Sequence, residues 1–313
     1  MTHFLLRRLL SVFPVLFMVA LIVFAMLRLT PGDPAAIIAG DAATQAQIEQ
    51  IRVNLGLDQP IHWQFFIWAK SLLQGDLGTS LISGAPVGEL IADRFGPSIA
   101  LAISTICFSV LVAVPLGILA AWRQGRWLDR LVMSGSVIGF SVPVFITGYL
   151  LILVFSMTLG WLPVQGYVPL SNGLWPFLER IILPTLGLST VYIALIARIV
   201  RTSVIEVMNE DFIRTARSKG LDEISVLLKH ALGNAAVPIV TVIGVSITML
   251  IGGVVVTESV FNIPGLGRLI LDAILARDYP LIQTMILMFS FIYVGVNLAI
   301  DLSYMALDPR IRH

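Results

Sequence analysis

The stretch EDFIRTARSKGLDEISVLLKHALGNA, residues 210–235, carries Glu210, Asp211, Arg214, Arg217, Lys219, Asp222, Glu223 and Lys229 in a chain that is 57% hydrophobic and only 12% charged. Long apolar runs flank it on both sides. A mean hydropathy of +0.92 lies far above that of a soluble globular protein. Runs of about 20 apolar residues cross a bilayer as helices, because a helix pairs its own backbone polar groups. The densest charge in the chain therefore sits between two spans, and its reading decides the fold. It is either an amphipathic element resting on the lipid surface or an element that leaves the membrane to meet a partner.

Working outward, six spans are expected, at about 9–28, 98–121, 131–157, 181–201, 236–257 and 281–304. The fold class is thus an all-α membrane protein. Arg7 and Arg8 ahead of the first apolar run imitate a signal peptide, but the run is long and no small-residue cleavage site follows, so it reads as an uncleaved span. Pro115 and Pro143 fall inside spans as kinks, and Pro184 and Gly187 interrupt the start of the fourth. With the N-terminus inside, thirteen Lys and Arg lie on the inner side and seven on the outer, which places both termini in the cytoplasm. Residues 1–97 then form a first span with a periplasmic loop, 98–304 a core transmembrane domain and 305–313 a cytoplasmic tail.

The 29–97 loop has two apolar helical faces, Ile48, Ile51 and Leu55, then Ile61, Phe65, Trp68 and Leu72, with Asp58 as N-cap, Pro60 in the first turn and Gly75 at the end. The second helix lies on the outer membrane surface, packs on the bundle or docks an external partner. Trp161 and Trp175 suit interfacial anchoring. FNIPGLGRL (261–269) reads as a tight re-entrant turn through Pro264, Gly265 and Gly267, or as an outer gate or docking element with Asp278 of RDYP (277–280).

The net charge of +1 implies no bulk attraction to nucleic acid, and the single Cys107 excludes an intrachain disulfide. No Asp, Glu, Lys, Arg or His occupies the middle of a span, so a proton relay has no carriers. The three lysines, Lys70, Lys219 and Lys229, none preceded by glycine, exclude a P-loop, and HExxH, CxxC and GxSxG are missing. If the chain is a transporter and energy enters, it enters through contact with another protein.

Residues 204–234 read as two helices around Gly220. Val204, Met208, Phe212 and Ala216 recur every four residues as one apolar face, and Asp222 caps a second helix with Ile224, Leu227, Leu228, Ala231 and Leu232, broken at Gly233 and Asn234. The nearly balanced charge suits a protein groove better than a lipid surface.

At these residues the chain resembles a known family. EDFIRTARSKGL (210–221) and LLKHALGNAAVP (227–238) are similar to the cytoplasmic loop of binding-protein-dependent ABC importer permeases of the dipeptide/oligopeptide/nickel branch. PGDP (31–34), LGLDQP (55–60), GDLGTS (75–80), PGLGRL (264–269), RDYP (277–280) and DPRIR (308–312) follow in the order and spacing of that branch. The wider family's Glu-Ala-Ala-x-x-x-Gly aligns with Arg214, Thr215, Ala216 and Gly220, so the glutamate and first alanine are replaced.

The resemblance implies a type I importer permease without catalytic, metal or cofactor-binding residues. A second homologous permease would complete the pathway in the lipid bilayer, two ATPase subunits would bind ATP and Mg, and a periplasmic or lipid-anchored binding protein would deliver substrate. It implies an ATPase-coupling role for Met208, Glu210, Asp211, Phe212, Arg214, Thr215, Ala216, Lys219 and Gly220. Ser141, Pro143 and Thr147 are candidates for the translocation pathway, and Trp68 joins Pro264, Gly265, Gly267 and Asp278 as outer candidates. Short peptides are the expected substrate, with glutathione and nickel chelates as alternatives. A stand-alone ion-coupled carrier and a membrane enzyme remain competing classes.

Overall fold

The computed structural model describes residues 2–29, 35–36, 43–54 and 57–307. PGDP, the first two residues of LGLDQP, and DPRIR lie outside them. Helices occupy all six expected intervals: α1 (Thr2–Leu29), α4 (Val87–Trp122), the pair α5 (Trp127–Ser141) and α6 (Val144–Thr158), α7 (Leu174–Met208), α10 (Ala236–Val260) and α12 (Tyr279–Leu307). Between them lie α2 (Gln45–Asn54), α3 (Ile61–Leu73), α8 (Asp211–Ser218), α9 (residues 223–234) and α11 (Leu266–Ala276). Among the described residues four helices are long and apolar enough to cross a membrane, and α5 with α6 makes a fifth if read as one span.

The third interval is not one kinked helix. α5 and α6 meet at 101°. Val142 is extended (φ −84°, ψ 122°), as the residue before a proline prefers, and Pro143 starts the next helix without an N–H to bond backward. α6 closes with a π-helical turn over Ile152–Thr158. Conversely, α7 runs unbroken through Pro184 for 35 residues, well beyond the expected 181–201.

The chain divides into two compact units. In the unit of residues 94–268 and 295–313, α7 is the central post. It buries Leu183, Leu188, Ile196, Val200 and Val204 and packs against α5, α6 and α10. Glycine permits the closest approach: a Cβ on Gly117 would stand 2.7 Å from the Ala197 carbonyl oxygen. Gly148 and Gly187 likewise let α6 and α7 meet backbone to backbone, as small residues do where helices cross in lipid.

In the unit of residues 1–93 and 269–294, a turn from Gly78 to Val87 is closed by hydrogen bonds from Ser80 N–H to Ala85 O and Val87 N–H to Gly78 O. α2 opens on a capping box in which Thr44 and Gln47 bond reciprocally. Asp58 does not cap α3. Pro60 occupies the N-cap position, and the Asp58 carboxylate accepts from the Gln59 amide in the preceding turn.

Candidate functional site

α7 ends at Met208 because Asn209 and Glu210 turn the chain; Glu210 is extended (φ −72°, ψ 149°) and α8 starts anew at Asp211. The four-residue period from Val204 to Ala216 therefore does not continue as one face. Ile213 and Ala216 are buried with Val204 in the core, whereas Phe212 is 42% exposed. The expected single apolar face of Val204, Met208, Phe212 and Ala216 is thus corrected: Ala216 holds α8 to its own chain, and Phe212 points away.

The charges of α8 bond among themselves. Arg214 pairs with Asp211 at 3.2 Å, and Thr215 Oγ1 donates to the Asp211 carbonyl. Gly220 takes the left-handed conformation (φ +81°), where a side chain would be strained, and its N–H bonds to Arg217 O. Across this bend Arg217 forks onto Glu223, Nε to Oε1 at 2.8 Å and Nη2 to Oε2 at 3.2 Å. Asp222 caps α9 by accepting from the Ser225 N–H at 3.0 Å. A hydrogen bond from the Ser225 side chain, and after it the one from the Ser225 N–H, hold the Asp222 carboxyl below its ordinary range.

α9 buries Val226, Leu227 and Ala231 and leaves Ile224 and Leu228 exposed, so only part of the expected apolar face turns inward. It continues through Gly233 and Asn234 and breaks at Ala235. The result is a helix–bend–helix unit anchored by an apolar underside. Its outward side shows Phe212, Leu221, Ile224 and Leu228 among charges, with Glu210 and Lys219 making no ion pair among the described residues.

The outer candidates fall differently. Glu258, fully buried at the end of α10, accepts from the Ser98 hydroxyl and from the Arg268 N–H at 3.0 Å, while Ser98 Oγ accepts from the Leu266 N–H at 2.7 Å. A carboxylate and a hydroxyl thus cap the first turn of α11, which suits the positive end of a helix. Gly265 has no alternative there: a Cβ would stand 2.0 Å from Glu258 Oε1. On Gly267 it would stand 2.6 Å from Val255 Cα. Gly265 and Gly267 are buried and Pro264 half-buried, so the motif is packed around a carboxylate rather than presented as a docking surface.

Asp278 is likewise buried, accepting from the Ser80 hydroxyl and the Leu81 N–H. Trp68 packs against Phe24 of α1, 5.6 Å between ring centroids. Ser141 donates to the Val137 carbonyl at 2.8 Å, and Thr147 N–H bonds to Pro143 O in the first turn of α6.

Composition alone did not expose the Asp129–Arg201 bridge. Asp129, buried at the start of α5, receives Arg201 Nη2 of α7 at 2.8 Å and the Gly125 N–H at 2.9 Å. Its one visible signal was an acid and a base, each at the end of a span. Ser80 and Ser98 gave no signal, because their partners are remote in sequence.

The helical bundle around α7 has the transmembrane fold of a type I ABC importer. A chain of the MetNI methionine ABC transporter, in an inward-facing conformation, superposes with a TM-score of 0.60 at 18% identity, covering 71% of this chain and 98% of that one. The family described as Binding-protein-dependent transport system inner membrane component matches residues 113–313, and its N-terminal counterpart, Binding-prot-dependent transport system membrane comp, N-term, matches residues 1–102. This chain belongs to that family and is a multi-pass membrane protein. It is 51% identical over 310 residues to the Probable peptide ABC transporter permease protein y4tP of Sinorhizobium fredii, covering 99% of each. It is 44% identical over 313 residues to the Glutathione transport system permease protein GsiC of Escherichia coli strain K12, covering 100% of each.

Proposed function

We propose that this chain is the permease subunit of an ATP-driven importer of short peptides, glutathione-like peptides included. The names of its relatives, a probable peptide permease and a glutathione permease, support the substrate class. The reading joins it to a second homologous permease, two cytosolic ATPases and an outer substrate-binding protein. ATP and Mg bind the ATPases, and this chain performs no catalysis. Both termini are cytoplasmic, residues 98–304 form the transmembrane core, and 305–313 are a tail.

The observation that carries the reading is the bend from α8 to α9. It is anchored from beneath by Ile213, Ala216 and Val226 and follows directly on α7, the central post. A push on Phe212, Arg214, Lys219 or Leu221 is therefore passed to the spans rather than absorbed by a loose loop. Nucleotide binding in the ATPases and a loaded binding protein would bias the same two-state movement. Gly220→Val tests it. The strained bend should lower substrate-stimulated ATP hydrolysis by the complex at least several-fold while membrane insertion is retained, and full stimulation would contradict the reading.

A further inference from the structure

Helix α3, IHWQFFIWAKSLL, contains no acidic residue. One side packs on α1: Phe65 lies 5.2 Å from Phe24 and 6.0 Å from Phe17 between ring centroids, and Trp68 lies 5.6 Å from Phe24. The other side is also apolar. Trp63, Phe66 and Ile67 are each at least half exposed, and Leu73 is 90% exposed. His62, Gln64, Lys70 and Ser71 are its polar residues, and a helix whose opposite sides both carry large apolar groups belongs in a protein core or in lipid. With 13 residues α3 is about 20 Å long, too short for a hydrocarbon layer of about 30 Å.

α1 serves as a depth gauge. Its apolar run between Arg8 and Arg28 is centred on Met18, so Phe17 stands close to mid-depth. Phe24 is about 9 Å further along at about 1.5 Å per residue, still inside a half-thickness of about 15 Å. A helix that touches both phenylalanines lies within the hydrocarbon layer. α1 likewise exposes Phe13, Met18, Leu21 and Ile22.

We propose that α3 is a membrane-embedded helix that does not cross. It lies in the leaflet at the C-terminal end of α1, held by Phe65 and Trp68, with Trp63, Phe66 and Ile67 facing acyl chains. The polar groups fit that setting. The Gln64 amide donates to the Gln59 carbonyl at 2.7 Å and the Leu57 carbonyl at 3.2 Å, and the Lys70 stem is long enough to carry its ammonium to the headgroups.

The test places a nitroxide at Phe66→Cys, and separately at Ile67→Cys, in a Cys107→Ser background. Asp58→Cys gives the water reference. The intact complex, purified through a tag on this chain, is reconstituted in phosphatidylethanolamine–phosphatidylglycerol vesicles. Collision with oxygen and with a water-soluble nickel chelate is then read by power saturation. The oxygen-to-nickel ratio at 66 and 67 should exceed that at 58 several-fold. Nickel collision equal to that at 58 would place α3 in water, and low collision with both reagents would place it under a protein partner. Either result overturns the proposal.

Discussion

Two charged regions of this chain have opposite designs. Around Glu258, one carboxylate is buried and fully bonded by Ser98 and the first turn of α11, with glycines where no side chain fits. Along 210–223, many charges lie exposed and pair only with near neighbours. Removing a partner from a buried charge is costly, whereas exposed pairs contribute roughly 0–1 kcal/mol. The first region therefore holds the fold. The second adds little to stability, so its charge density in so apolar a chain fits the contact proposed for it.

The comparison is broken first at Gly265. Gly265→Val drives a side chain into the Glu258 carboxylate and should destabilise by about 3 kcal/mol. A lowered unfolding midpoint of the detergent-solubilised chain is the readout, and an unchanged midpoint would remove the carboxylate from the structural role. Arg217→Ala in the other region should be far milder. Its pair with Glu223 is 41% and 49% exposed at the side chains, and loss of it should cost about 0.5 kcal/mol. The same variant should weaken co-purification of the ATPase, which separates recognition from stability.

The smallest effect is one of pH at Asp222. Its folded value is lowered by the bonds from Ser225, so the cap is complete above the unfolded value of about 3.9 and fades as pH falls through the lower folded one. Hydrogen-exchange protection at the Ser225 amide should be flat from about pH 8 to 5 and drop only in stronger acid. Asp222→Asn should retain protection there. A loss of protection near neutrality would contradict the cap.

The same contrast explains what the sequence disclosed. Spans are written in local hydropathy, so all six intervals hold helices and the charged stretch stands out. Gly220 and the Asp222 cap were also legible, since both depend on residues within a few positions. The apolar face through Val204, Met208, Phe212 and Ala216 failed because a four-residue period says nothing of a break at Asn209. Asp58 failed as a cap because Pro60 took that position. The roles of Gly265 and Gly267 were hidden for another reason: the carboxylate cage needs Ser98, 160 positions from Glu258, and only the folded chain brings them together.

The central claim, that the outward side of the α8–α9 bend seats on a cytosolic ATPase, is tested most directly by a photo-cross-linking amino acid in place of Phe212. Irradiation of membranes containing the assembled transporter should join this chain to the ATPase subunit, and the yield should change when nucleotide is added. Cross-linking to lipid alone, with no ATPase adduct in either condition, would contradict the account.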